Sequence, residues 1–116
     1  MNMNESNLLL ADQALKPFED IKITINQTAH EFNSKTIPVK FAVSLIDIAV
    51  NNFNSVKKEN DKKIKQLLDI PIGILNKLKS NIESIGKTMN SKSIPISIIN
   101  QQIDTIIENF KIGYSN

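Results

Sequence analysis

The residues best suited to acid and base chemistry are one histidine and a few carboxylates. His30 is the only histidine, and the chain has no cysteine, so a zinc or transition-metal site would lack its usual ligands. Glu19 and Asp20 are neighbours in the sequence. On a helix they point in different directions, which excludes a paired acid and base. We expect a solvated or structural His30, no metal, no cofactor and no enzymatic activity.

Asp47 and Asp104 occupy matching positions in two related stretches of the sequence. A twofold arrangement of these stretches could bring them together as a carboxylate pair that shares an ion or a proton. Both aspartates also lie in the polar stripe of an amphipathic segment, and the simpler interpretation is that both face solvent. The sequence contains no glycine-rich phosphate loop and no Ser-His-Asp set.

All fourteen cationic side chains are lysine. Without arginine, specific nucleic-acid recognition and phosphoryl-transfer chemistry are disfavoured, and a net charge of +2 indicates no nucleic-acid partner. Five lysines cluster near the middle of the chain, but Glu59 and Asp61 interrupt them, which favours a solvated connector over contact with lipid or nucleic acid. The candidate contacts for an anionic surface are Lys57, Lys58, Lys62, Lys63 and Lys65.

Four prolines each precede an amphipathic run and therefore predict four helix starts. They are Pro17, Pro38, Pro71 and Pro95. Pro17 and Pro71 could instead kink longer helices, because the apolar spacing continues upstream of both. Steps of three and four residues separate the apolar side chains of two stripes, which predicts an all-α fold. The stripes are Phe18, Ile21, Ile25, Ala29 and Phe32, and Leu75, Leu78, Ile82, Ile85 and Met89.

A near-copied hexapeptide indicates an internal duplication. The sequence NSKTIP at 33–38 returns as NSKSIP at 90–95, and nine of the twenty-one residues in 33–53 are identical in 90–110. We interpret the hexapeptides as corners between helices. Asn33 and Asn90 would adopt the left-handed turn that ends one helix, and Ile-Pro would fix the entry to the next.

The expected organisation is one domain, residues 1–116, with four main helices. Two tandem, sequence-related helical hairpins pack together as a bundle, because neither hairpin could bury its apolar side alone. Repeat 1 covers about 10–53, repeat 2 about 67–110, and 54–66 is a connector or a helix extension. A short additional N-terminal helix would also fit the pattern.

The two predicted repeats differ most in the helix after the corner. Polar residues in the second copy replace apolar ones in the first, so the helix near 38–56 has a wide apolar surface with a narrow polar stripe. Such a helix is either the most buried of the monomer or covered by a partner. The candidate residues for contact with a partner or a second copy are Phe41, Val43, Leu45 and Ile48.

These features favour a non-enzymatic interaction protein, such as an adaptor, inhibitor or immunity-type binder, that self-associates as a homodimer. The alternative is a phasin-like protein whose amphipathic helices coat a lipid or polymer surface. The first residues have neither a basic start nor a long apolar run. We therefore expect a soluble, cytoplasmic protein.

Overall fold

Four helices and two short strands make up the fold. The computed structural model describes residues 5–58 and 62–115. Two long helices each precede a short strand, and a shorter helix follows each strand. In chain order the elements are α1 (Glu5–Glu31), β1 (Thr36–Pro38), α2 (Val39–Lys58), α3 (Lys62–Thr88), β2 (Ser93–Pro95) and α4 (Ile96–Ser115). The prediction of an all-α, four-helix bundle is confirmed.

The helices pair between the predicted halves. α2 packs mainly against α3, and α1 packs mainly against α4, whereas the helices joined by each corner make fewer contacts. The two predicted hairpins are thus interleaved, and each supplies half of both closely packed helix pairs. Common ancestry of the halves stays a hypothesis, but residues n and n + 57 repeatedly occupy equivalent environments.

The two corners meet in a small antiparallel ribbon. β1 pairs with β2 so that Ile37 lies opposite Ile94, and both side chains are buried. The Val39 amide donates a hydrogen bond to the Lys92 carbonyl at 2.8 Å, and the Ile96 amide donates to the Lys35 carbonyl at 3.0 Å. An extended isoleucine before each proline follows from the sequence. The pairing of the two extended segments was not predicted.

Asparagine ends the helix before each corner, as the sequence predicts. Asn33 has φ 49° and Asn90 has φ 50°, the left-handed conformation that closes a Schellman motif. The Ser34 amide donates a hydrogen bond to the Ala29 carbonyl at 2.8 Å. At the equivalent positions of the second corner, the Ser91 amide donates to the Gly86 carbonyl at 2.9 Å.

Two of the four predicted helix starts are wrong. Pro17 lies inside α1 and Pro71 lies inside α3, so the alternative of longer helices holds for both. Helix formation continues through these prolines because the apolar stripes on both sides pack into one core, and Pro71 itself is buried. The predicted connector at 54–66 is mostly helix extension, since α2 reaches Lys58 and α3 begins at Lys62.

The predicted core stripes are confirmed except at their last residues. Phe18, Ile25 and Leu78 are among the fully buried side chains. Phe32 is 78% exposed and Met89 is 46% exposed, because each follows the end of its helix, where the backbone turns away and the helical spacing stops. No polar side chain is buried among residues 13–58 and 62–110. In the part of the chain that the structure describes, no helix is long and apolar enough to cross a membrane.

Candidate functional site

A groove of about 530 Å³ lies between α1, α2 and α3. α1 makes its closest contacts with α4, and α2 makes its closest contacts with α3. The groove is therefore open between α1 and α2. Phe53 and Leu68 line its buried part, together with Pro71. The floor is therefore apolar and continuous with the core of the bundle.

Two aliphatic side chains of α2 stand exposed in the groove. Ile48 is 56% exposed and Val56 is 47% exposed. Three small residues also line the groove, namely Ala14, Pro17 and Ala49. Projecting aliphatic groups next to small residues form the knobs and holes against which another helix can pack.

Polar groups lie at the edge of the groove. Asp20 and Thr24 come from α1, and Asn52 comes from α2. Asp20 is exposed and forms no ion pair with any residue in the described part of the chain. An apolar floor with a sparse polar rim is typical of a binding surface.

The four predicted partner residues do not form a single patch. Leu45 and Ile48 line the groove. Phe41 and Val43 do not line it, and both are half-buried against the core. Part of the apolar surface of α2 thus packs inside the monomer, as the alternative interpretation of the sequence held. The other part lines the groove.

Three polar residues of α4 stand where α2 has apolar ones, namely Asn100, Gln102 and Thr105. Amide pairs between helices account for the first two. Asn100, at the position equivalent to Val43, exchanges two side-chain hydrogen bonds with Asn26 of α1, at 2.8 and 3.1 Å. Gln102, equivalent to Leu45, accepts a bond from Asn81 of α3 at 3.4 Å. These residues therefore join α4 to its neighbours.

The surface opposite the groove carries different side chains at the positions fifty-seven residues away from the groove residues. Ile74 and Ile106 replace Pro17 and Ala49, and both isoleucines are half-buried against the core. The Asn81 amide reaches across to Gln102 where the groove has Thr24 and Leu45. Larger side chains and an interhelix hydrogen bond fill the space that small and aliphatic residues leave open at the groove.

The sequence prediction missed most of the groove because it looked for contact residues only in the helix after the corner. Ala14, Pro17 and Val56 all line the groove, and none of them was predicted to be a contact residue. The available signal was the exchange of small residues for isoleucine at n and n + 57. Pro17 against Ile74 and Ala49 against Ile106 are two such exchanges.

Asp47 and Asp104 do not form the carboxylate pair that the sequence allowed. The Lys79 ammonium donates to Asp47 at 2.9 Å, and the Lys22 ammonium donates to Asp104 at 2.5 Å. The first ion pair joins α3 to α2, and the second joins α1 to α4. The hydrogen bond to Asp47, and then its negative charge, raise the pKa of Lys79 above the ordinary 10.5.

The lysine cluster lies at the end of the bundle where α2 leads into α3. Lys57 forms an ion pair with Asp69. Lys57, Lys58 and Lys65 line a shallow depression, and Lys62 and Lys63 are exposed in the first turn of α3. The cluster is thus a partly neutralised, solvated end of the bundle.

The groups considered for catalysis remain dispersed. His30 is exposed near the end of α1. Within residues 5–58 and 62–115, no three His, Cys, Asp or Glu side chains come together to hold a metal ion.

Comparison with known proteins gives no match to a family model, a curated protein or a solved structure. The groove is therefore the feature from which a function must be argued.

Proposed function

We propose that the chain is a non-enzymatic protein-interaction module whose groove receives the apolar face of a partner helix. Partner helices of this kind place aliphatic side chains at steps of three and four residues into an apolar groove between helices. The groove between α1, α2 and α3 offers about 530 Å³ with a buried apolar floor. Its exposed aliphatic residues, Ile48 and Val56, would lose water on binding.

One observation carries this proposal. Helices of the same lengths form both faces of the bundle, yet the groove presents Leu45, Ile48 and Ala49 where the positions fifty-seven residues later hold Gln102, Thr105 and Ile106. Core packing does not require Ile48, because its side chain is more than half exposed. Exposed aliphatic residues beside an open apolar groove indicate a surface that another molecule covers.

The proposal includes no catalytic role and no cofactor. Apolar side chains dominate the groove, and its one carboxylate, Asp20, has no second titratable group beside it in the lining. We also propose a cytoplasmic location, in keeping with a chain that has no cysteine.

Titration of the isotope-labelled protein with helical peptides tests the proposal. One peptide carries aliphatic residues at helical spacing, and a matched control carries serine there. We expect the aliphatic peptide to shift the amide resonances of Ile48, Asn52 and Val56. Ile48→Asp should abolish the shifts, whereas Ile23→Asp, at an exposed residue of α1 outside the groove, should leave them unchanged.

The proposal is wrong if neither peptides nor rising protein concentration move these resonances while the protein stays folded. Shifts that persist in the Ile48→Asp variant would place the contact elsewhere on the bundle. Circular dichroism of each variant provides the required check of helix content.

A phasin-like coating of a lipid or polymer surface is the second candidate. It is favoured by exposed apolar residues outside the groove, of which Phe32 and Met89 lie at the corner end of the bundle. Partition of the protein onto hydrophobic particles or anionic vesicles would support it. This candidate requires Phe32→Ser to weaken partition, and absence of any partition removes it.

A further inference from the structure

The groove has the layout of a self-complementary surface. Ile48 and Val56 are exposed on α2, and the buried Ala14 and Ala49 line the same groove together with Pro17. A contact between two identical copies must place projecting and receding parts on the same patch, because each copy uses the same residues. The groove satisfies this requirement with projecting residues from α2 and receding residues from α1 and α2.

The spacing along α2 defines where a twofold axis would pass. Asn52 lines the groove and lies four residues after Ile48 and four residues before Val56. If two α2 helices cross antiparallel with the axis at Asn52, Ile48 of each copy meets Val56 of the other. Residues at i and i + 4 share one helix face, so all three side chains are directed to the same contact.

Charge also favours an antiparallel contact between copies. Asp20 lines the groove at the level of Ile48, counted from the corner. At the other end, Lys63 lies one helical turn before Leu67, a lining residue of α3. Neither Asp20 nor Lys63 is engaged in an ion pair within the described residues. A twofold axis at Asn52 brings the acidic end of one copy to the basic end of the other.

The α2 helix presents little charge that would oppose this contact. Between Phe41 and Val56 its single charged residue is Asp47, which is held by Lys79 on the side facing α3. Two such faces therefore approach without like-charge repulsion or the removal of an unpaired charge from water.

Resting on the proposed interaction function, we propose that the occupant of the groove is a second copy of this chain. The two copies pack α2 against α2 in antiparallel orientation about a twofold axis at Asn52. Ile48 fills the groove of the other copy beside Val56, and Asp20 of each copy faces Lys63 of the other. The product is a symmetric homodimer in which two grooves cover each other.

Single cysteines test the position of the axis, because the natural chain contains none. Asn52→Cys should form a disulfide-linked dimer rapidly under mild oxidation, since two thiols at a twofold axis come within bonding distance. Asn54→Cys is the matched control, an exposed residue of α2 outside the groove. Equal rates for the two variants would overturn the proposed axis.

Charge reversal tests the pairing across the interface. Sedimentation equilibrium should show that Asp20→Lys and Lys63→Glu each weaken the dimer about tenfold, because each change affects two symmetry-related contacts. The double variant should recover most of the loss. Additive weakening in the double variant would contradict the proposed contact between the two residues.

The same measurements separate this proposal from the interaction function on which it rests. A wild-type chain that sediments as a monomer at every concentration, but still binds aliphatic helical peptides in the groove, overturns the homodimer alone. A monomer that binds no peptide overturns both. A dimer that persists in Ile48→Asp shows that the copies associate through a different surface.

Discussion

The two long faces of the bundle are formed by helices of matching length and differ in what fills the space between neighbouring helices. On one face, Ile106 closes the surface against the core and Gln102 bonds to Asn81. On the other face, Ala49 and Leu45 line an open groove. Both faces bury the same kind of core beneath them. The bundle therefore does not need the open groove in order to fold.

The features shared by the two halves are the ones that stabilise the fold. They include the left-handed asparagine at each corner, the isoleucine pair of the ribbon and one lysine–aspartate ion pair for each close helix pair. Several of the features that differ lie in the groove, among them Pro17 against Ile74 and Ala49 against Ile106. This separation suggests that the shared residues determine the architecture and that the differing residues determine what binds.

The largest expected effects test whether the two halves contribute equally to stability. Ile46 and Ile103 are equivalent and fully buried. Ile46→Ala and Ile103→Ala should each lower the free energy of unfolding by about 2–5 kcal/mol, through lost burial and an unfilled cavity. Urea unfolding at a fixed, low protein concentration measures both. A large difference between the two would contradict the equivalence of their environments.

Exchanging the residues that distinguish the faces should have a smaller effect. Ile106→Ala removes a half-buried side chain and should cost about 1–3 kcal/mol. Ala49 is buried but borders the open groove, so the atoms that Ala49→Ile adds can project into it, and the loss in free energy of unfolding should be smaller than that for Ile106→Ala. It should also weaken self-association measured by sedimentation.

A loss from Ala49→Ile as large as that from Ile106→Ala would show that the groove cannot accept the added side chain. Self-association that is unchanged in Ala49→Ile would show that the groove is not the contact. The two outcomes are separate, because one is read from unfolding and the other from the molecular mass in solution.

The all-α class and the corners followed from the sequence because their causes are local. Helical spacing of apolar residues identifies buried stripes, and asparagine before an Ile-Pro pair identifies a left-handed turn and an extended entry. The pairing of α1 with α4 and of α2 with α3 could not be obtained in this way. It depends on contacts between residues far apart in the chain, which no local pattern contains.

The groove was predictable only in part for the same reason. Leu45 and Ile48 were expected on a contact surface because they differ from the equivalent residues of the other half. Val56 and Pro17 were not, since their importance depends on three helices meeting. The continuation of α1 through Pro17 also shows that tertiary packing can override a local helix-start signal.

The corner asparagines offer a comparison in which both halves should respond alike. Asn33→Ala and Asn90→Ala should each cost about 1 kcal/mol, because alanine is disfavoured at positive φ. Glycine at either position should be tolerated, since it adopts this conformation freely. Asn54→Ala, within α2, is the control and should cause no loss. Thermal unfolding suffices to detect the difference.

The smallest expected effect concerns the ion pairs. Asp47 raises the pKa of Lys79, and Glu83, one turn later in α3, adds a weaker contribution of the same sign. The position equivalent to Glu83 is Asn26, which instead bonds to Asn100. Glu83→Asn should therefore lower the pKa of Lys79 toward 10.5, whereas Asp47→Asn should lower it further, as followed by an NMR titration of the lysine side chain.

The raised pKa of Lys79 predicts how the contribution of its ion pair to the free energy of unfolding depends on pH. The pKa of Lys79 is higher in the folded than in the unfolded chain, so its stabilising contribution is fully present below 10.5 and is lost as the pH rises through the folded value. The stability difference between wild type and Lys79→Met should accordingly shrink in strongly alkaline solution. Because Lys79 is solvent-accessible, the difference should be small at every pH and should decrease with added salt. A difference that stays constant as the pH rises would mean that Lys79 does not stabilise the bundle through its charge.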